Sequence, residues 1–325
     1  MFFLGCDSGS TKIAFCICDD KGHVLSARAF PGITIFREQA ATYAQDMRQM
    51  AEVVLREAGI RSDELRMCAM GLTGCGETPD AQQLMESAVE GAFPGAPYRI
   101  VNDSVVGWSG ALKASTGIHV VSGTGAIAYG EDGHGGKARC GGWTVYFNDE
   151  GSAYWIAVQG LNLFFQQADG RLPRTAFYDA CMEYFHIRDP LHAPGVFEEM
   201  TDGGNLAKVA AFQKQVLELC RQGDPYAADI YRRAAHELFR MVRALHARLD
   251  FGTDTVRVSY SGGVFRGKGV LLDTFSDLCR QEGFLLTEPA FGPLAGSIGY
   301  AAREFVDRET LERMMQAVEQ APVLA

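Results

Sequence analysis

Three short turns rich in glycine and hydroxyl side chains could bind a phosphate chain. They are Asp7-Ser8-Gly9-Ser10-Thr11-Lys12, Ser122-Gly123-Thr124-Gly125 and Ser261-Gly262-Gly263. Backbone N–H groups in such turns can form an anion-binding concavity, and the acid that opens the first turn can face Mg²⁺ through water. The third turn offers a close backbone approach for a flat nucleoside. Each turn alone is typical of an ordinary hairpin, so the prediction depends on all three in this order.

A carboxylate that could act as a general base follows a later predicted strand. Asp103 comes directly after Tyr98–Val101 and opens a predicted helix, and the active sites of open α/β sheets gather at the carboxyl ends of strands. Phosphoryl transfer to a hydroxyl group needs a positioned carboxylate and a neutralised triphosphate. The alternative is that Asp103 only caps its helix. In the same way, Asp149 can cap a predicted helix over 152–168 or serve a site, and Trp143 can stack on a sugar or belong to the core.

Two other phosphate motifs nearly fit but lack an essential part. Gly262 to Lys268 has the spacing of a P-loop, but Gly269 stands where a Ser or Thr should reach Mg²⁺. The run from Gly123 to Ala128 resembles a dinucleotide-binding fingerprint, which needs a helix at that point. This segment instead continues into Glu-Asp-Gly-His-Gly-Gly, which predicts a hairpin.

Hydrophobic patterning predicts the elements that carry these turns. A three-stranded meander in the first 30 residues leads into alternating helices and strands up to Leu112. The pattern then restarts with strands at Ile118–Ser122 and Ala126–Gly130, and it becomes mostly helical after Gly151. A chain of 325 residues is long for one core. The sequence predicts an α/β fold with two domains, 1–113 and 114–302, the first of which the helices of 303–325 could complete.

Composition excludes several classes of partner. Forty acidic against 30 basic residues give a net charge of −10, which disfavours nucleic acid and anionic membranes. We expect no membrane span and no signal peptide, since no apolar stretch is long enough and the N-terminus reads as a strand. Nine cysteines without a framework spacing predict free thiols in a reducing cytoplasm.

The three turns resemble the two phosphate loops and the adenosine loop of the actin-like ATPase superfamily, which includes sugar kinases. Within it, Cys140-Gly141-Gly142-Trp143 and the block from Asn148 to Ile156 are similar to N-acetylglucosamine kinases of the BadF/BadG/BcrA/BcrD ATPase group. The resemblance extends, with gaps, from residue 1 to about 302. It implies two actin-like (ribonuclease H-like) domains with a nucleotide cleft between them, ATP and Mg²⁺ as cofactors, and a sugar as substrate.

The resemblance also implies roles for particular residues. Asp103 matches the catalytic base of the family. The positions that match its sugar pocket are Thr73, Gly74, Gly142, Trp143 and Asp149, and Thr11 and Thr124 fall in the ATP-phosphate loops. The chain departs from these kinases at 32–36 and 144–147. Both stretches lie near the expected sugar site, so they bear on substrate identity.

The leading functional prediction is ATP-dependent phosphorylation of an amino sugar, N-acetylglucosamine at its 6-hydroxyl ahead of glucosamine. A rival from the same family is an ATPase activator of a CoA-ester dehydratase or reductase, which would need cysteines clustered on a short loop. No cysteine cluster follows Ser122. A chaperone-type ATPase would need a substrate-binding module for which this length leaves no room. The oligomeric state stays open, with a homodimer as one arrangement.

Overall fold

The structure is a computed structural model that describes residues 1–9, 11–35, 39–144, 146–201, 206–253 and 255–324. Ser10 of the first turn, and Phe36 and Val145 of the two departing stretches, lie outside the described residues. The chain divides into two compact units, of which unit 1 contains Met1–His119 and Glu288–Ala325 and unit 2 contains Val120–Thr287. Among the described residues, no helix is both long and apolar enough to cross a membrane.

Unit 1 is built on a five-stranded sheet in the order β3-β2-β1-β4-β5. The hairpin strands β1, β2 and β3 pair antiparallel, whereas β1, β4 and β5 are parallel. The helices that flank this sheet bury an apolar core, which includes Phe15, Met47 and Met85. The elements are β1 (Phe2–Ser8), β2 (Lys12–Asp19), β3 (Val24–Pro31), α1 (Ala40–Ala58), β4 (Leu65–Gly71), α2 (Pro79–Ala92), β5 (Tyr98–Val101), α3 (Asp103–Ala111), α12 (Pro293–Ala302) and α13 (Arg308–Gln320).

The second sheet has the order β10-β9-β6-β7-β8. Its first strand along the chain, β6, lies in the middle, as β1 does in the first sheet. Strands β7 and β8 form an antiparallel hairpin, and β9 and β10 are parallel. The structure therefore shows the duplication that the two strand–turn–strand patterns indicate. Its strands are β6 (Gly117–Ser122), β7 (Ala126–Glu131), β8 (Lys137–Gly141), β9 (Arg257–Ser261) and β10 (Leu285–Thr287).

Helices make up most of the remainder of unit 2. Patterning predicts a mostly helical chain after Gly151, and the structure has helices along most of that stretch. They are α4 (Ala153–Ala168), α5 (Ala176–Tyr184), α6 (Ala193–Thr201), α7 (Leu206–Ala211), α8 (Gln213–Arg221), α9 (Pro225–His246), α10 (Gly263–Arg266) and α11 (Val270–Gln281).

Helix α12 lies in unit 1, whereas the sequence-based boundary places it with the second domain. The helix approaches its neighbours at small residues. A Cβ on Gly296 would lie 2.0 Å from the carbonyl oxygen of Val106 in α3, and a Cβ on Gly5 of β1 would lie 2.1 Å from Ser297 Oγ. These glycines let α12 pack tightly on α3 and β1, so 288–302 joins the N-terminal unit.

Candidate active site

The carboxyl ends of three parallel strands bring together the polar residues of unit 1. Asp7 pairs with Gly71 in β4, and Gly71 pairs in turn with Val101 at the end of β5. Thr73 and Asp103 follow those two strands directly, so Asp7, Thr73 and Asp103 stand side by side at one edge of the sheet. This is the placement that strand order predicts for an α/β active site.

The hydroxyl group of Thr73 connects two of these strand ends. Thr73 Oγ1 lies 3.0 Å from Asp103 Oδ2 and also donates to the backbone carbonyl of Ser8. A threonine hydroxyl has a single proton to donate. When that proton is directed to Ser8, a protonated Asp103 can donate to Thr73, and when Asp103 is ionised, Thr73 can donate to it. The arrangement therefore accommodates both protonation states of Asp103.

Two partly buried carboxyl groups share this edge of the sheet. Burial, and after it the negative charge of Asp103, raise the pKa of Asp7 from its ordinary value of 3.8 to about 7, against the lowering effect of the positive charge of Lys12. Burial also raises the pKa of Asp103, against the lowering effect of hydrogen bonds from Thr73 and the Ser104 N–H. Carboxyl groups with strongly perturbed pKa values that cluster in one place are typical of functional sites.

The N-cap of α3 is Asn102. Its side-chain oxygen accepts hydrogen bonds from the Ser104 N–H at 3.1 Å and from Ser104 Oγ at 2.6 Å. Asp103 occupies the first position of the helix and adds a second contact to the same N–H at 3.0 Å. Asn102 is therefore the main cap of α3, and capping does not by itself explain the presence of Asp103.

A cavity of about 580 Å³ in unit 2 contains parts of two predicted phosphate and nucleoside turns. Gly123 and Thr124 contribute to one side and Gly263 to another. Helices α7 and α8 add a wall of alanines together with Leu217. Three cationic residues, Lys214, Arg221 and Arg266, line the cavity, and no acidic residue from the described ranges lines it. The cavity thus combines an apolar slot with positive charge, although the protein is acidic.

The glycines around this cavity serve two different purposes. A Cβ at Gly123 or Gly263 would meet no protein atom within 4 Å, and neither residue has a left-handed backbone. Their missing side chains therefore leave space open at the cavity. Gly262 has a φ of +103°, and a Cβ there would lie 2.1 Å from the Ser122 carbonyl oxygen. Glycine is thus required at position 262 because a side chain there would clash with the second turn.

The backbone of the second turn is fixed by α4. The carbonyl groups of Gly123 and Thr124 accept hydrogen bonds from the N–H groups of Ala153 and Tyr154, at 2.8 and 3.3 Å. The Gly123 N–H donates to Gly125 within the turn, at 2.9 Å, just as the Gly9 N–H donates to Lys12 in the first turn, at 2.8 Å. Those two N–H groups are therefore already paired with backbone carbonyl groups of their own turns.

Asp149 is held inside unit 2 beside two other predicted sugar-pocket residues. Its φ is +61° and it is buried. Burial raises its pKa, against the opposing effect of the N–H groups of Ala126, Gly142 and Trp143. Asp149 Oδ1 has no hydrogen-bond partner among the described residues. Ser152 caps α4, so Asp149 does not hold the capping role that the sequence left open.

The remaining predicted residues are placed as follows. Thr11, Lys12 and Thr124 are exposed, and Trp143 is 71% exposed, so the tryptophan does not belong to the core. Gly74 and Gly142 adopt the left-handed backbone, with φ of +88° and +67°. A Cβ on Gly142 would also meet the Ile127 side chain at 2.8 Å.

Sequence reasoning missed the cationic wall of the cavity. Lys214, Leu217 and Arg221 lie on one face of α8 because they are spaced by three and then four residues, and Arg221 donates to the Gly267 carbonyl oxygen at 3.2 Å. The spacing is visible in the sequence, but nothing in it indicates that this face of α8 lies opposite the third turn.

The structure forms neither the P-loop nor the dinucleotide-binding fingerprint. Strand β7 follows Gly125, where a dinucleotide fingerprint requires a helix, and Gly262 leads into a helix of only four residues. Within the described ranges, no group of three or more His, Cys, Asp or Glu residues is arranged to hold a metal ion. The nine cysteines, all of them described, are free.

The two repeated sheets and their helices define a protein of the actin-like ATPase fold. The solved structure of the candidate N-acetylglucosamine kinase from Chromobacterium violaceum superimposes with a TM-score of 0.71 at 23% identity, covering 91% of this chain and 97% of that chain. This confirms the predicted fold class. The chain belongs to the BadF/BadG/BcrA/BcrD ATPase family, which it matches over residues 4–288, and ATP is therefore its nucleotide.

Two relatives are similar along most of the chain. The N-acetylmuramic acid/N-acetylglucosamine kinase of Clostridium acetobutylicum is 26% identical over 277 residues, which are 84% of this chain and 89% of that protein. The N-acetyl-D-glucosamine kinase of Dictyostelium discoideum is 23% identical over 285 residues, which are 84% of this chain and 88% of that protein.

Proposed function

We propose that this protein is an ATP-dependent kinase of an amino sugar, with N-acetylglucosamine as acceptor and its 6-hydroxyl as the position phosphorylated. The observation that carries the proposal is the pair of partly buried carboxyl groups, Asp7 and Asp103, at the carboxyl edge of the first sheet. Asp103 is not needed as the cap of α3. The names of the two relatives support the same acceptor.

In the proposed reaction, Asp103 is the general base. The sugar hydroxyl oxygen forms a bond to the γ-phosphorus of ATP as its proton passes to the Asp103 carboxylate. The bond between that phosphorus and the β–γ bridging oxygen breaks, and ADP leaves with the electron pair. Thr73 donates a hydrogen bond to ionised Asp103 and so keeps the carboxylate oriented. No covalent enzyme intermediate is required.

Unit 2 supplies the nucleotide site in this proposal. The triphosphate lies against the turn at Gly123 and Thr124, and the adenosine enters the slot between Gly263 and the α7–α8 wall. Lys214 and Arg266 supply positive charge for the phosphates. The open space at Gly123 and Gly263 supports this assignment, because a Cβ there would obstruct only a ligand.

Mg²⁺ fits the residues present at the edge of the first sheet. Asp7 and Asp103 are partly buried and their negative charges repel one another, and a hard divalent cation that favours oxygen ligands would offset that repulsion. Asp7 would face the ion through water, and the ion when bound would neutralise charge on the triphosphate. Such ions are usually held by one or two carboxylates together with substrate phosphates, so a cluster of three protein ligands is not required.

The sugar is proposed to contact the residues that match the sugar pocket of the family. Thr73 Oγ1 lies 3.0 Å from Asp103 Oδ2, and Gly74 follows Thr73 in the sequence. Asp149 keeps a buried oxygen without a donor among the described residues, and a sugar hydroxyl could satisfy it. The exposed Trp143 offers a ring face for stacking on the pyranose.

Asp103→Asn tests the assignment of the base. Asparagine keeps the volume of the side chain but cannot accept the proton, so kcat with N-acetylglucosamine should fall by roughly 10²- to 10⁴-fold, with ATP binding unchanged. Asn102→Ser is the matched control, since serine caps as well as asparagine, and it should retain near-normal turnover. ADP release would be measured over N-acetylglucosamine, glucosamine, N-acetylmannosamine and glucose. Near-normal turnover in folded Asp103→Asn would refute the base, and no sugar-dependent ADP release by the wild type would refute the kinase.

A further inference from the structure

A buried glutamine lies in the wall of the cavity of unit 2, beside the apolar slot. Of the described residues that line this cavity, only Thr124 and Gln213 have neutral side chains that form hydrogen bonds. Thr124 belongs to the turn that is proposed to hold the triphosphate. Gln213 is the first residue of α8, and it is only 7% exposed. Its amide is therefore the neutral polar group that a base in the slot would meet.

A pair of hydrogen bonds with Tyr231 fixes the orientation of this amide. Gln213 Nε2 donates to Tyr231 Oη, and Tyr231 Oη donates to the Gln213 backbone carbonyl oxygen at 3.2 Å. Burial raises the pKa of Tyr231, so the hydroxyl keeps its one proton, and that proton is directed to the carbonyl. The hydroxyl can then only accept a hydrogen bond from the side-chain amide. The NH₂ end of the amide is thus held by Tyr231, and Oε1 is the end left for a ligand in the cavity.

The charged side chains of the cavity are all donors. Lys214, Arg221 and Arg266 carry ammonium and guanidinium groups, which donate hydrogen bonds and cannot accept them. Adenine has a donating amino group at C6, whereas guanine has an accepting oxygen at that position, as hypoxanthine does. Donors alone would favour a base with the oxygen. A preference for adenine therefore requires an acceptor in the wall of the cavity.

We propose that Gln213 selects the base of the nucleotide, because its Oε1 accepts a hydrogen bond from the 6-amino group of adenine. Tyr231 is a positioning residue, since it holds the amide with the oxygen toward the base. A base with an oxygen at C6 would place that oxygen against Oε1, and neither acceptor would have a proton to share. The inference rests on the placement of adenosine under the proposed function, and it concerns only which purine the protein accepts.

The test measures Kd by calorimetry with the full-length protein for the Mg²⁺ complexes of ATP, ITP and purine riboside triphosphate, which has only hydrogen at C6. The wild type should bind ATP roughly 10- to 100-fold more tightly than ITP, with purine riboside triphosphate between them, since ITP leaves two acceptors facing each other. Gln213→Met keeps the length of the side chain but removes the acceptor, and it should lower the ratio to about 3-fold or less. Tyr231→Phe releases the amide and should lower the ratio as well. Gln215→Met, on the same helix but outside the described lining of the cavity, should keep the wild-type ratio.

The outcomes separate the inference from the function on which it rests. Equal binding of ATP and ITP by the wild type would overturn the inference, as would a wild-type ratio in folded Gln213→Met. If that variant does not fold, a wild-type ratio in Tyr231→Phe would overturn it. Sugar-dependent ADP and IDP release tests the kinase separately. Normal release with equal use of ATP and ITP would overturn the inference alone, whereas the expected preference for ATP without sugar-dependent release would overturn the kinase alone.

Discussion

Asp7→Asn should stabilise the protein at alkaline pH and remove part of its pH dependence. Burial and the nearby Asp103 raise the pKa of Asp7 from 3.8 to about 7. At pH values between 3.8 and about 7, Asp7 therefore keeps its proton in the folded chain and loses it in the unfolded chain. Stability falls as pH rises wherever the folded state binds more protons. In the wild type, Asp7 should thus cost stability progressively as pH rises from 3.8 through about 7, whereas asparagine carries no charge at any pH.

The size of this effect follows from the width of the pH window. The pKa rises by about 3 units, and each unit corresponds to 1.36 kcal/mol, which gives an upper limit of about 4 kcal/mol well above pH 7. Roughly 2–3 kcal/mol of that cost develops between pH 5 and pH 8, because the unfolded carboxyl is already mostly ionised at pH 5. The difference in free energy of unfolding between Asp7→Asn and the wild type should grow by about this amount over that interval.

The assay is urea denaturation at pH 5, 6, 7 and 8 in the presence of a chelator, so that no divalent cation neutralises the carboxylates. Glu52→Gln, at an exposed position on α1, is the matched control for loss of one negative charge. It should follow the wild type at every pH. Parallel stability curves for the wild type and Asp7→Asn from pH 5 to pH 8 would refute the assignment of a raised pKa to Asp7. The same variant should lose kinase activity even though it gains stability, because Asp7 is proposed to face Mg²⁺.

Two further predictions concern the cavity of unit 2. Gly123→Ala should leave the free energy of unfolding within about 0.5 kcal/mol of the wild type but weaken ATP binding measured by calorimetry, because only a ligand occupies the space that the new Cβ fills. Gly262→Ala should instead destabilise the fold by about 2 kcal/mol or more, since it combines a left-handed backbone with a Cβ clash; equal stability of the two variants would contradict this distinction. Lys214→Ala should raise the KM for ATP by roughly 3- to 10-fold, an estimate reduced for solvent screening of an exposed cation, with the KM for sugar unchanged. Lys208→Ala on α7, outside the cavity, is its control, and an equal rise in both variants would show only a general charge effect.

Local sequence patterns predicted most of the elements but not the shortest ones. The hairpin of β1 and β2 and the helix α9 follow from alternation and helical periodicity, and their observed bounds are within a few residues of the predicted ones. Strand β8 has the polar sequence Lys-Ala-Arg-Cys-Gly, and β10 has three residues. Neither run is long or regular enough to show a period. Pairing with β7 and with β9 makes them strands, and such pairing is a tertiary property.

The candidate site likewise has some features that the local sequence predicts and others that depend on tertiary structure. Glycine-rich turns at 7–12, 122–125 and 261–263 are local features. The sequence by itself determined the fold class, and it predicted these turns as candidate phosphate-binding elements and Asp103 as a candidate base. It could not decide whether Asn102 or Asp103 caps α3, because both residues cap helices well and only the observed hydrogen bonds assign that role to Asn102.

Tertiary structure alone decided the relations that join distant parts of the chain. Helix α12 joins unit 1 because Gly296 permits close contact with Val106. The cationic face of α8 lines the cavity with Gly123 and Gly263, although up to 140 residues separate those segments in the sequence. The physical reason is that burial, charge repulsion and the space available at a glycine depend on which segments of the chain are in contact. Sequence patterns report only on residues that are close together along the chain. The pKa of Asp7 likewise depends on Asp103, which follows a different strand far along the chain.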